Sequence, residues 1–474
     1  MPEPRLWQLT AGSAVLGLVL AAGAVAAAGP WDNGQRKAER AKAAVADRTG
    51  GTHHAAARSA EGLPPAPEPA PSAPGVLTPL GTSAPAAAAA GRPADLAATL
   101  VPLLGDPGLG PLRTASVVDV ATGRQLYGQG AATPMTPAST VKIATAAAAL
   151  TALGPDHRIA TTVTATPDGR TVTLVGGGDP TLDRTGLRAL ATGTARALRD
   201  RGVTDVTLRY DTTRYTGPAL HPIGPNDNLA PVSALMLDEG RLDRSTSGPA
   251  PRATDPAADA ADAFAGLLRD TGVTVRRGPA AGRAPAGATV VAKTYSRPLS
   301  ALVERMLTHS DNDLAEALAR QTALAARKPA SFAGAQQAVR DRLKTLGVPL
   351  AGARFADGSG LDRNDRVSAA TLTAILTRAA DPARPELRPV LTGLPVGGFS
   401  GTLRTRYGTD RTAAGAGTVR AKTGTLTGVN TLAGTVVTAD GRLLAFAFLA
   451  GRTPSPYTAQ PALDRLAAAL APRG

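Results

Sequence analysis

A serine and a lysine three residues apart, Ser139 and Lys142, begin an apolar segment that is typical of a buried helix. The segment contains no helix-breaking residue until Gly154 and Pro155. On a helix, residues three apart lie on one face, so the hydroxyl and the amine can meet. A lysine that has lost its proton can activate a serine hydroxyl as a nucleophile. The pair alone also fits a simpler interpretation, in which Ser139 caps the helix and Lys142 is a solvated residue of its first turn.

Two further short motifs follow in order, Ser310-Asp311-Asn312 and Lys422-Thr423-Gly424. The chain has only seven lysines and six asparagines; Lys142 alone has a serine three residues before it, and Asn312 alone has one two residues before it. By residue frequencies, the three motifs would occur together by chance in about one chain in a hundred of this length. The trio is the signature of penicillin-binding proteins and serine β-lactamases. It favours a catalytic pair over a capped helix.

The chain resembles the class C low-molecular-mass penicillin-binding proteins, which are D-alanyl-D-alanine carboxypeptidases and endopeptidases. The resemblance covers most of residues 95–470. Three secondary signatures support it: Gly178-Asp179-Pro180-Thr181-Leu182, Asp357-Gly358-Ser359-Gly360-Leu361 and Gly401-Thr402-Leu403. It implies a penicillin-inhibited serine DD-peptidase that cleaves D-Ala-D-Ala, peptidoglycan cross-links, or both through an acyl-enzyme, with no cofactor.

The residue types of the trio suit this chemistry. Ser139 would attack the peptide carbonyl, and Lys142 can act as its base only if burial and a second cation lower its pKa. Lys422 is expected to supply that cation from a neighbouring strand. Ser310 can relay a proton to the departing amine, and Asn312 can hold both Lys142 and a substrate amide.

The substrate is expected to contact the third motif. Thr423, Gly424 and Thr425 would bind the terminal part of a stem peptide, with Lys422 and the two threonine hydroxyls suited to its carboxylate. By resemblance, the main-chain N–H groups of Ser139 and Thr425 would hold the oxyanion. Peptidoglycan stem peptides are thus the expected substrates, and β-lactams the expected covalent inhibitors.

Apolar periodicity predicts helices around a largely antiparallel sheet, an α+β architecture. The resemblance implies a β-lactamase/transpeptidase-like fold with a five-stranded antiparallel sheet flanked by helices. About 170 residues separate the first two motifs, far more than in a compact β-lactamase. We therefore expect a catalytic domain of residues 94–154 plus 296–474, with an inserted α/β domain of residues 155–295 between the first and second motifs.

The N-terminal segment differs in composition from the rest. Residues 1–30 combine Arg5 with an uncharged apolar stretch ending in small residues, which predicts a signal peptide or signal anchor. Residues 31–93 are rich in proline and alanine, which favours a disordered tether. Whether residues 1–30 are a cleaved signal peptide or a retained anchor, the remainder is expected outside the cytoplasm: secreted to the cell wall or periplasmic space, or anchored in the cytoplasmic membrane.

Charge and composition exclude several other functions. The net charge is +14, but the arginines are scattered and no basic run is interleaved with aromatics, so nucleic acid is not an expected partner. The chain has no cysteine and therefore no thiolate chemistry. His53 and His54 lie in the proline-rich tract without further ligands, so no metal site is predicted.

Three functions remain open from the sequence. The first is the DD-peptidase. The second is a serine β-lactamase. Such an enzyme needs an efficient base for deacylation, and no glutamate in this sequence is placed by a compact β-lactamase pattern. The third is a non-catalytic, tethered cell-wall-binding protein of the same fold, which would have no need of all three motifs. A serine–histidine triad through His309 is disfavoured because the chain lacks the Gly-x-Ser-x-Gly motif.

Overall fold

A computed structural model describes residues 93–471 of the chain. The predicted leader of residues 1–30, and the predicted tether except for its last residue, lie outside this range. Within it, none of the helices combines the length and apolar character that crossing a membrane requires.

Ten helices and eleven strands occur in the described residues, apart from short 3₁₀ turns. The helices are α1 Pro93–Leu104, α2 Lys142–Leu153, α3 Arg184–Arg199, α4 Pro256–Asp270, α5 Leu299–His309, α6 Asn312–Ala325, α7 Phe332–Thr345, α8 Ala369–Ala379, α9 Pro389–Thr392 and α10 Pro456–Ala468. The strands are β1 Leu112–Asp119, β2 Gln125–Gln129, β3 Ala160–Ala165, β4 Thr171–Val175, β5 Asp205–Asp211, β6 Thr274–Val275, β7 Ala280–Ala281, β8 Thr289–Tyr295, β9 Val419–Leu426, β10 Val429–Val437 and β11 Leu443–Gly451.

The first sheet has five strands in the order β2-β1-β11-β10-β9, and every neighbouring pair is antiparallel. Its central strands β10 and β11 are buried along almost their whole length, because helices cover both faces. Alternation along β11 divides the two faces: Ala445 and Ala447 face one helical layer, whereas Phe446 and Phe448 face the other. The predicted α+β class and the predicted five-stranded antiparallel sheet are confirmed.

The two layers differ in size. One core joins the sheet to α2, α5, α6, α7 and α8, and the other joins it to α1 and α10. In α2 every residue from Lys142 to Leu150 is buried. The alanines of this helix are small enough to let α6 and α7 pack closely around it, which encloses Lys142 at its first turn.

The second sheet lies in residues 160–295, between the first and second motifs. Its order is β6-β5-β4-β3-β8 with β7 also paired to β5, and it mixes parallel and antiparallel pairs. Helices α3 and α4 pack on it around Leu187, Leu190 and Phe264. The region is thus α/β in character, as predicted.

Helix α6 connects this inserted region to the first core. The fully buried Arg320 donates hydrogen bonds to the carbonyls of Thr216 and Ala330, at 3.1 and 2.6 Å, and Gln321 donates to the Gly177 carbonyl at 2.8 Å. A side chain at Gly177 would collide with the Ala160 carbonyl, so the glycine cluster 176–178 allows close packing here.

Candidate active site

The first motif lies in a tight turn rather than in the helix itself. Ser139 belongs to a 3₁₀ turn over Ala138–Val141, and α2 begins at Lys142. The residue that caps α2 is Val141, which makes no side-chain capping bond, so Ser139 is not the helix cap. Ala138, just before Ser139, has a φ of 47°, a left-handed conformation that is costly for a residue with a side chain.

The Lys142 amine is buried and contacts three oxygens. Its Nζ lies 3.1 Å from Ser139 Oγ, 2.7 Å from Asn312 Oδ1 and 2.6 Å from the Ser359 carbonyl oxygen. The side chain has no solvent exposure, which excludes the solvated-lysine interpretation. Burial lowers the pKa of Lys142 to about 8, although the carboxylates of Asp357 and Glu316 oppose this effect. The neutral amine is therefore more accessible near neutral pH than in an ordinary lysine.

The second motif connects α5 to α6. Ser310 has a φ of 59° and ends α5, while Asp311 caps α6 by accepting the Leu314 N–H at 3.0 Å. With Asp311 as the cap, Asn312 opens α6 and its amide oxygen accepts from Lys142, while its Nδ2 donates to the Asn228 carbonyl at 3.0 Å. The motif thus caps a helix and also contacts the Lys142 amine.

The third motif is on edge strand β9. Lys422 is fully buried and donates to the Thr423 carbonyl at 2.8 Å. Burial, with a further contribution from the Lys142 charge, holds the pKa of Lys422 well below its ordinary value. Burial is also the largest cause of the lowered pKa of Lys142.

The remaining residues of β9 explain the glycine of the motif. A Cβ at Gly424 would lie 2.1 Å from Thr431 Oγ1 and 2.7 Å from the Pro137 carbonyl, so only glycine lets β9 approach the Ser139 turn this closely. Thr423 donates to the Thr402 hydroxyl at 2.8 Å, and Thr425 is exposed.

One cavity of about 340 Å³ brings the predicted residues together. It is lined by Ser139, Ser310, Asn312, Thr423 and Thr425, and also by residues that were not predicted: Arg241, Arg252, His309, Arg406 and Gln460. Lys142, Lys422 and Gly424 lie behind this surface, in the buried wall. A larger cavity, of about 470 Å³, lies beside the inserted sheet and contains none of the predicted site residues. Volume therefore does not identify the site, whereas the convergence of three motifs does.

Two groups of buried acidic and histidine side chains lie next to the site. His221, Glu316 and Asp357 form one, and Glu239, Asp311 and Asp313 form the other; within each group the potential ligand atoms lie within 4.8 Å of one another. In the first group, His221 Nε2 bonds Asp357 at 2.9 Å, and Glu316 accepts the main-chain N–H groups of Gly358 and Ser359.

The second group is paired with arginines. Arg241 lies 2.9 Å from Glu239, Arg252 lies 2.8 Å from Asp313, and Arg305 contacts both Glu239 and Asp311. Protein cations and donors thus already occupy the oxygens that a metal ion would need. Neither group was predicted from the sequence, although Asp357 lies in one of the secondary signatures and Asp311 in the second motif.

Comparisons with known proteins agree with this geometry. The sequence pattern of the D-Ala-D-Ala carboxypeptidase 3 (S13) family matches residues 96–252 and 243–470. The carboxypeptidase DacB of Mycolicibacterium smegmatis is 40% identical over 427 residues, covering 87% of this chain and 90% of the relative. A D-alanyl-D-alanine carboxypeptidase of Actinomadura is 31% identical over 483 residues, covering 82% and 87%.

A solved structure shares the fold. Penicillin-binding protein 4 of Haemophilus influenzae superposes with a TM-score of 0.66 at 22% identity, covering 79% of this chain and 98% of that one. The expected β-lactamase/transpeptidase-like fold is therefore confirmed. The chain belongs to the D-Ala-D-Ala carboxypeptidase 3 (S13) family and is a serine DD-peptidase.

Proposed function

We propose that Ser139 is the nucleophile of this DD-peptidase and Lys142 its base, acting on the D-Ala-D-Ala end of peptidoglycan stem peptides. The observation that carries this assignment is the fully buried Lys142 amine, which lies 3.1 Å from the Ser139 hydroxyl. Burial favours the neutral amine that a base requires.

The contacts of Lys142 suit that neutral form. A neutral amine has two N–H donors and one lone pair. The two donors match the Asn312 amide oxygen and the Ser359 carbonyl, the two shortest contacts. The lone pair then remains for the Ser139 O–H proton. In this state the neutral amine makes all three hydrogen bonds, and its lone pair accepts the Ser139 proton.

The reaction follows in two steps. The Ser139 Oγ attacks the carbonyl between the two D-alanines while its proton passes to Lys142, and the main-chain N–H groups of Ser139 and Thr425 hold the oxyanion. The C–N bond then breaks, and Ser310 relays a proton to the departing amine. Water hydrolyses the resulting ester and frees Ser139.

The terminal carboxylate of the substrate gives Lys422 a role. Two adjacent buried lysines do not readily carry charge together. A carboxylate held by Thr423 and Thr425, near Lys422, would stabilise the ammonium form of Lys422 and favour the neutral form of Lys142. Substrate binding would in this way prepare the base that attacks it.

β-Lactams fit the same site as covalent inhibitors. One structure of the Haemophilus influenzae protein, at 22% identity, is a complex with a β-lactam. By analogy, Ser139 would open the β-lactam ring and keep the acyl group. The apolar segment between Arg5 and Pro30 further supports an extracytoplasmic location, in which the protein is either secreted or anchored in the cytoplasmic membrane.

A fluorescent penicillin tests the assignment of the nucleophile. We expect the purified protein to be labelled covalently and the Ser139→Ala variant to take up no label. Among the described residues, Lys142 Nζ contacts three oxygens, and only that of Ser139 is a hydroxyl. Thr425→Ser, which keeps the hydroxyl at the edge of the cleft, is the matched control and should still be labelled. Persistent labelling of Ser139→Ala would disprove the assignment.

Product analysis separates the two peptidase activities. Release of D-Ala from a pentapeptide measures carboxypeptidase activity, and cleavage of cross-linked dimers measures endopeptidase activity. Thr423 and Thr425, the residues proposed to bind the terminal carboxylate, line the same cavity as Ser139, so we expect D-Ala release from the pentapeptide.

A further inference from the structure

A buried histidine from the inserted region lies behind the catalytic lysine. His221 belongs to the loop between β5 and α4, and its Nε2 lies 2.9 Å from Asp357 Oδ2. The two side chains are 1% and 0% exposed, and the edge of the Phe332 ring packs on the imidazole at 5.3 Å between centroids. Residues 221 and 357 are 136 positions apart, so the contact joins two distant parts of the chain.

The tautomer of His221 follows from its second contact. The Ile223 N–H donates to His221 Nδ1 at 3.3 Å, so Nδ1 is the acceptor and Nε2 carries the proton that Asp357 accepts. The imidazole therefore acts here as a hydrogen-bond donor to a carboxylate.

Asp357 organises the turn of residues 357–362, which we name the Asp357 turn. Its Oδ1 accepts the Gly360 N–H at 2.6 Å, and its Oδ2 accepts the Asp362 N–H at 2.8 Å and the Ser359 hydroxyl at 3.0 Å. Burial alone would raise the pKa of Asp357, but hydrogen bonds from the His221 and Asp365 side chains and from the Gly360 N–H lower it to about 2. The carboxylate is thus ionised and fixes the turn from inside.

The Asp357 turn contacts both members of the catalytic pair. Its Ser359 carbonyl accepts from Lys142 at 2.6 Å, and its Gly358 carbonyl accepts from Thr145 on α2 at 2.7 Å. At Gly360, a Cβ would lie 2.1 Å from the Ala138 carbonyl and 3.0 Å from the Ser139 nitrogen. A small displacement of this turn therefore moves the lysine, the nucleophile, or both.

We propose that His221 is a positioning residue for acylation: it fixes the Asp357 turn, which directs the Ser359 carbonyl to one N–H of Lys142 and leaves the lone pair of the amine facing Ser139. The inference rests on the proposed roles of Ser139 and Lys142. It gives the inserted region a part in the reaction, because His221 connects that region to the catalytic amine through the Asp357 turn, beside the separate connection from Asn228 through Asn312. The contact acts through Asp357 and does not touch the substrate.

The test compares two amide substitutions at one position. In His221→Gln the side-chain nitrogen lies close to the place of Nε2 and can still donate to Asp357. In His221→Asn it lies close to the place of Nδ1 and cannot reach. The measurement is the rate constant for acylation by a fluorescent penicillin, taken from the time course of the labelled fraction. Loss of folded protein lowers the amplitude of that time course but not its rate constant.

We expect His221→Asn to be acylated at least about tenfold more slowly than the unchanged protein, because misplacement of a reacting group by about 1 Å costs up to about a hundredfold in rate. His221→Gln should remain within about threefold. Tyr215→Phe is the matched control: it removes another buried contact of the inserted region, to the Gly178 and Ala317 carbonyls at 3.3 and 3.4 Å, and should leave the rate unchanged.

Each outcome decides the question. Equal rate constants for His221→Asn and His221→Gln, whether fast or slow, would overturn the proposal, as would equal slowing of Tyr215→Phe. A folded His221→Asn protein without label would be the extreme of the predicted slowing, whereas an unfolded one would assign His221 to folding and not to positioning. If the unchanged protein is not acylated on Ser139, it is the proposed function that fails.

Discussion

Two clusters of buried like charge lie near the start of α6, one through the contact of Lys142 with Asn312 and one through Asp311 and Asp313, but their partners differ. Within the described residues, the hydrogen bonds of the lysine cluster, Lys142 and Lys422, go to neutral oxygens: a hydroxyl, an amide and two carbonyls. The carboxylate cluster, Glu239, Asp311 and Asp313, is paired with arginines. The carboxylate cluster therefore forms direct ion pairs, whereas the described residues give the lysine cluster none.

This difference in partners suggests that the lysine cluster serves the reaction and the carboxylate cluster serves the stability of the fold. A buried charge without an ionic partner is costly, so its group tends towards the neutral form, which is the form a base needs. A buried carboxylate with an arginine partner keeps its place and joins two parts of the chain: Arg252 comes from the inserted region and Asp313 from α6. We therefore expect substitutions in the lysine cluster to affect rate and substitutions in the carboxylate cluster to affect stability.

The largest effect is expected from Lys142→Met. This change removes the proposed base but keeps an unbranched apolar side chain of similar length, so acylation by penicillin should slow by about 10³-fold to 10⁴-fold. Stopped-flow or quenched labelling measures the rate. Lys293→Met, at an exposed lysine of β8, is the control and should react normally. Acylation of Lys142→Met within tenfold of the unchanged protein would show that another group is the base.

A smaller effect, now on stability, is expected from Arg252→Met. The change leaves Asp313 buried without its ion-pair partner; the two side chains are 4% and 1% exposed, so the free energy of unfolding should fall by about 3 kcal/mol. Burial raises the pKa of Asp313 to about 7, with Asp311 adding to the rise and Arg252 opposing it. Below that pH the carboxyl takes up a proton and needs no cation, so the loss should be smaller at pH 5 than at pH 8.

Urea unfolding at the two pH values measures this loss. The control is Arg276→Met, which breaks the ion pair with Asp205; there the side chains are 59% and 33% exposed, and we expect a cost below about 1 kcal/mol at both pH values. Equal costs for the two variants would mean that the carboxylate cluster does not hold the inserted region in place.

Much of the site could be predicted because its signal is local and made of rare residues. A lysine in this chain is uncommon, and three motifs in order select Ser139, Lys142, Asn312 and Lys422 without knowledge of the fold. The central strands β10 and β11 were also predictable, since long apolar runs joined at Asp440-Gly441 favour a hairpin. Edge strand β8 escaped prediction because it is exposed or half-buried throughout and lacks an apolar alternation.

The contacts behind the site could not be predicted. His221 and Asp357 meet only after the inserted region has folded, and nothing in the residues around either one indicates the other. The source of the low lysine pKa is also a property of the fold: it depends on how completely the surrounding helices exclude water from Lys142, which spacing alone does not specify.

The smallest expected effect is the change in the free energy of unfolding caused by Lys142→Met. Its dependence on pH differs from that of Arg252→Met. The pKa of Lys142 is lowered from 10.5 to about 8 in the folded protein, so between these values the unfolded chain binds more protons and stability rises with pH. Below about pH 8 the buried ammonium group lowers the free energy of unfolding, and Lys142→Met removes this effect. The substitution also has an opposing effect, because it leaves the Asn312 and Ser359 oxygens without their donor. We expect a net change of about 1 kcal/mol that favours the variant most at pH 7 and declines towards pH 10. Urea unfolding of both proteins between pH 7 and pH 10 measures it; a difference that grows with pH would mean that Lys142 is buried in a charged and well-compensated state.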